Sequence, residues 1–60
     1  MSNFEPNTVF KRYGHTYQVD CLNDGKVRFH NVTDVYDIGQ LSLEHLENQY
    51  KEGIIYLKVD

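Results

Sequence analysis

The chain has 60 residues, with six Lys/Arg against nine Asp/Glu and a net charge of −3. So short a chain makes one domain and buries only about 60% of its unfolded surface, near the limit of what a core alone supports. A single cysteine, Cys21, excludes an internal disulfide, and His15, His30 and His45 are too scattered for a zinc site, with no Cys-x-x-Cys pair to join.

Self-association is the support that remains, so a homodimer is expected. No apolar run approaches the roughly 18 residues of a membrane span, and "MSNFEPN" lacks the charged and apolar regions of a signal peptide. The chain therefore reads as cytoplasmic, with no membrane partner. Charge is uneven along it. Residues 1–31 sum to +1, while residues 32–60, with Asp34, Asp37, Glu44, Glu47, Glu52 and Asp60 against Lys51 and Lys58, sum to −4. A nucleic-acid binder presents a basic stripe, so nucleic acid is not the expected partner. A protein with a basic surface suits this balance, and solubility alone also accounts for it.

In chain order, residues 1–8 read as a flexible N-terminal arm, polar and holding the only proline. Residues 9–60 form the single small domain. Within "VFKRYGHTYQVDCL" the alternation predicts a strand over 15–22, with Tyr17, Val19 and Cys21 on one face and Leu22 on the other. Asp24-Gly25 is a strong hairpin signal, because a primed turn needs positive φ at both central residues. The second strand, 26–33, places Val27 and Phe29 opposite Arg28 and His30. "TDVYDIG" reads as a connection.

Ser42 is then an N-cap, with Leu41 and Leu46 at the positions of a hydrophobic staple and Glu44 beside the positive end of the helix dipole. Gly53 is the expected residue just past the helix end. Leu43, Leu46 and Tyr50 fall on one stripe. "IIYLKV", residues 54–59, closes the chain as a β-rich strand with Ile55, Leu57 and Val59 inward. The predicted fold is α+β, a three-stranded antiparallel sheet with one helix, in the order strand-strand-helix-strand. Two open edges and an apolar second face holding Leu22, Ile54 and Tyr56 again point to dimerisation.

No catalytic constellation emerges. Cys21 on the apolar face reads as a buried, inert thiol, Asp34 and Asp37 as solvated loop carboxylates, and "NDGK" has one glycine where a phosphate cradle needs several. The chain is read as no enzyme and as needing no cofactor or metal. Its five tyrosines lack the cationic groove of a single-strand binder, and tyrosine is equally the residue of protein-interface hot spots.

Three words of the sequence, "Y.V..L..DGK" (Tyr17 to Lys26), "LSLEHLENQY" (Leu41 to Tyr50) and "IIYLKVD" (Ile54 to Asp60), resemble the small phage-encoded inhibitors of uracil-DNA glycosylase, of the dimeric DNA-mimic type. The resemblance implies a phage protein that occupies the DNA site of a host uracil-DNA glycosylase. It also implies an apolar pocket, built from two paired helices, that captures the leucine the enzyme otherwise wedges into DNA. By resemblance the pocket falls on Leu46 and Tyr50, with Glu47 beside them and Leu43 and Glu44 on the same helix. Leu46 stands where the family has an aromatic, and Asp34 or Asp37 takes the place of a strand carboxylate. Leu43, Leu46 and Tyr50 are equally what any helix needs to cover a sheet. The alternative function is a small SH3-like adaptor or accessory module that binds other proteins.

Overall fold

The computed structural model describes residues 3–57. It corrects the three-stranded expectation: among the described residues the sheet has five antiparallel strands. They are β1 (Val9–Arg12), β2 (His15–Asn23), β3 (Lys26–Asn31), β4 (Ile38–Ser42) and β5 (Ile55–Leu57), with helix α1 (Leu43–Lys51) between the last two. The order across the sheet is β4-β3-β2-β1-β5, a four-strand meander whose final strand returns beside the first.

The β2–β3 hairpin forms where the sequence placed it. Asp24 and Gly25 both have positive φ, 56° and 73°, as a primed turn demands. A second tight turn at Tyr13 and Gly14, with φ of 51° and 80°, separates β1 from β2. Tyrosine is an unusual residue at positive φ, and that is why the sequence hid this turn inside one continuous alternation.

Within β2 the register shifts between Val19 and Cys21. One extra residue reverses which face the following side chains occupy. Val19 is buried and Leu22 packs against the core, whereas Cys21 pairs with Arg28 on the exposed face. The expected inward Cys21 and outward Leu22 are thus exchanged, and the thiol is exposed.

The core lies between the inner sheet face and α1. It comprises Phe4, Phe10, Val19, Val27, Phe29, Leu46 and Ile55. Phe10 is its centre: its ring meets Phe4 edge-on at 5.5 Å, Phe29 edge-on at 5.4 Å, and stacks on Tyr17 at 5.5 Å. Such pairs contribute about 0.5–1.5 kcal/mol each beyond the area they bury.

Phe4 belongs to the stretch read as a loose arm, yet it is completely buried. The backbone beside it is laced to β2, with Asn7 N–H donating to Val19 O (2.8 Å) and Val19 N–H to Thr8 O (2.8 Å). Asn3 donates from its backbone and side chain to the two Glu47 carboxylate oxygens at 3.1 and 3.2 Å. Residues 3–8 are therefore part of the packed fold.

Ser42 caps α1 as expected, its hydroxyl accepting from His45 N–H at 3.1 Å. At the other end Gly53 N–H donates to Tyr50 O (3.2 Å) and Ile54 N–H to Gln49 O (2.9 Å), the paired bonds of a Schellman motif. The buried stripe differs from the expected one by a residue: Leu46 and Gln49 are buried, and Tyr50 is 39% exposed. Arg12 decides this, because its Nε–H donates to Gln49 Oε1 at 2.8 Å and gives the amide an inward partner. In β5, Ile55 is buried, Leu57 packs on the core and Tyr56 faces solvent, as expected. The expected continuation through Lys58 and Val59 lies outside the described residues.

Candidate functional site

The stretch read as a mere connection, residues 32–37 between β3 and β4, is the most organised surface feature of the chain. Asn31, at the end of β3, is buried and its amide sets the loop. Its side-chain oxygen accepts from Thr33 N–H (2.9 Å) and Thr33 Oγ1–H (2.8 Å), and its Nδ2–H donates to Asp37 Oδ2 (3.4 Å). The backbone is equally tied: Asn31 N–H to Asp37 O (2.9 Å), Asp37 N–H to Asp34 O (2.9 Å), Val32 N–H to Thr16 O (3.0 Å). Asp34 Oδ1 accepts from Tyr36 N–H at 3.2 Å.

A loop that satisfies its own polar groups in this way holds one shape without help. What it holds out is apolar. Tyr36 is 91% exposed, Val35 61% and Val32 41%. Single exposed apolar residues need no explanation, but three on one rigid loop are a contact surface in the making.

The β1–β2 turn, the β3–β4 loop and the C-terminal end of α1 lie at the same end of the sheet. Arg12↔His15 closes the first hairpin, Tyr17↔Asn31 stands next to the loop, and Gln49 Nε2–H donates to Tyr13 Oη at 3.4 Å. Arg12 lies over the Tyr13 ring at 4.8 Å. Tyr13, Tyr36 and Tyr50, all exposed, share this end.

The residues singled out from the sequence are divided by the fold. Asp34, Asp37 and Tyr50 belong to the end just described. Leu43 and Glu44 sit at the opposite end, where Leu43 N–H donates to Gly25 O at 2.7 Å. Glu44 is exposed, Leu43 is half-buried against the core, and Glu47 is spent on Asn3. Leu46 is completely buried. Val32, Val35, Tyr36 and Gln49 were not singled out. Apolar residues bracketed by Asp34 and Asp37 in a turn-like segment were the available signal for Val35 and Tyr36.

Two shallow hollows open elsewhere. One, about 230 Å³ and apolar, is lined by Lys11, Thr16, Tyr56 and Leu57. The other, about 280 Å³ and polar, is lined by Cys21, Asn23, Asp24, Lys26, Arg28 and Gln40. On the solvent face His30 Nδ1 lies 2.8 Å from Asp20 Oδ1. Among the described residues no group of three His, Cys, Asp or Glu could hold a metal, and no helix is long and apolar enough to cross a membrane. No family model, curated protein or solved structure matches the chain.

Proposed function

We propose that this chain is a small, non-catalytic protein-binding module whose recognition element is the β3–β4 loop. The observation that carries the reading is the combination in residues 31–37 of a buried asparagine holding the backbone fixed and Val35 and Tyr36 held out in water. A preformed loop loses little entropy on binding, and an exposed tyrosine brings a large contact area with few rotamers to freeze. Asp34 and Asp37 flank it, so the complementary surface is an apolar recess bordered by Lys or Arg. The five-stranded order supports the SH3-like alternative over the three-stranded inhibitor fold.

The test is affinity capture with the wild type and with Tyr36→Ala, each checked for an unchanged circular dichroism spectrum. If Tyr36 is a hot spot, its loss weakens the captured interaction by about 30-fold, corresponding to about 2 kcal/mol. A partner that binds the folded Tyr36→Ala chain as well as the wild type would remove the loop from the interface.

A second reading keeps the DNA-mimic inhibitor of a host uracil-DNA glycosylase. Its support is the exposure of Asp34, Asp37, Glu44 and Glu52 on a chain of charge −3. With Leu46 buried, that reading rests on carboxylates and on Tyr50 rather than on a leucine-framed pocket. Titration into a uracil-excision assay decides it: stoichiometric inhibition that weakens with salt supports mimicry, and full excision at large excess of the chain ends it.

A further inference from the structure

We propose that β4 is a self-association edge, pairing antiparallel with β4 of a second copy of this chain to join the two sheets into one. The phase of the β3–β4 ladder carries the argument. Asn31 N–H donates to Asp37 O at 2.9 Å, and the register continues His30↔Ile38, Phe29↔Gly39, Arg28↔Gln40, Val27↔Leu41. Hydrogen-bonded and non-bonded pairs alternate in an antiparallel ladder. Gly39 and Leu41 therefore spend their backbone groups on β3, while Ile38 and Gln40 aim theirs away from it. β4 is the outer strand of the described sheet, so no described strand lies against those outward groups.

Edges left open in this way are ordinarily protected by a lysine, a proline, a bulge or extreme shortness. The β4 sequence Ile38-Gly39-Gln40-Leu41-Ser42 has no charge and no proline, and its register runs unbroken. On a chain of net charge −3, β4 is a stretch where two copies meet without setting like charges opposite each other. A two-fold axis at Gly39 sets Ile38 of each copy opposite Gln40 of the other, so that the outward N–H and C=O groups of both satisfy one another. Ile38, 58% exposed on the solvent face, gains a neighbour across the seam. Helix α1 begins at Leu43 and stops the ladder from sliding further.

Sedimentation equilibrium of the full chain from micromolar to millimolar concentration tests this, with Gln40→Lys, Gln40→Pro and Tyr56→Ala beside the wild type. Gln40→Lys adds the edge lysine that blocks pairing, and Gln40→Pro removes the outward N–H without touching the β3 ladder. The wild type is expected to reach twice 7.1 kDa, as is Tyr56→Ala. Gln40→Lys, with an unchanged circular dichroism spectrum, is expected to dissociate at a concentration at least about tenfold higher. Should Gln40→Pro unfold, Gln40→Lys decides alone. A wild type that stays at 7.1 kDa throughout overturns the proposal. So does a dimer that survives in folded Gln40→Lys, or one that Tyr56→Ala dissolves.

Discussion

Gly39 is the residue on which the inner sheet face depends most narrowly. A Cβ there would stand 2.6 Å from Cε1 and 2.8 Å from Cζ of Phe29. Phe29 cannot retreat, because its ring is packed edge-on against Phe10 and Tyr17. Gly39→Ala should therefore cost about 1–3 kcal/mol by overpacking, more than alanine recovers by restraining the unfolded chain. Urea denaturation would read this as a lowered midpoint at constant slope; an unchanged midpoint would mean that Phe29 yields. Cys21 shows the same dependence of a residue on its neighbours. Its type predicts burial, and one extra residue in β2 turns it out to solvent beside Arg28.

Helix α1 is the element whose limits were written locally. Its N-cap, its first-turn glutamate and its closing glycine act within a few residues of one another, so tertiary context had little to overrule. Ser42→Ala should lower stability by about 1 kcal/mol, and Ser42→Asp should restore most of it, since aspartate also accepts from the first turn. Thermal melts of the two variants measure it; an unchanged midpoint in Ser42→Ala would show that the hydroxyl is not the stabilising group. The inward face of the helix was less legible. Periodicity favoured Tyr50, but Arg12, 37 residues distant in sequence from Gln49, makes glutamine the buried partner. Strand β4 escaped notice because glycine, glutamine and serine dilute its pattern, and it is held in place by Lys26–His30 opposite.

At the scale of the whole molecule, the N-terminal segment is the unexpected contributor. A domain of this length has a net stability of about 3–9 kcal/mol by the usual per-residue range. Phe4→Ala, at a site 0% exposed, removes about 3–5 kcal/mol of that. The variant should lose a third or more of its margin, visible as a thermal midpoint lowered by at least about 12 °C. A cooperative melt within a few degrees of the wild type would mean that residues 3–8 add little to the fold. The same small margin makes pairing through β4 useful, since association stabilises the folded chain by mass action.

By itself the sequence determined what depends on near neighbours. The Asp24-Gly25 hairpin, the caps of α1, the inward Ile55 and outward Tyr56, and the inward Val27 and Phe29 each follow from φ preferences or period alone. Only the tertiary structure decided the strand count, the burial of Phe4 and Gln49, the exposure of Cys21, and the use of residues 32–37 as an ordered, apolar-tipped loop. The strand count and the burial of Phe4 and Gln49 rest on partners outside their own stretch of chain: β4 on β3, the segment of Phe4 on the β2 backbone, Gln49 on Arg12. A turn or a cap is complete within one stretch of chain, whereas a face, an edge or a buried amide exists only once another stretch has come to lie against it.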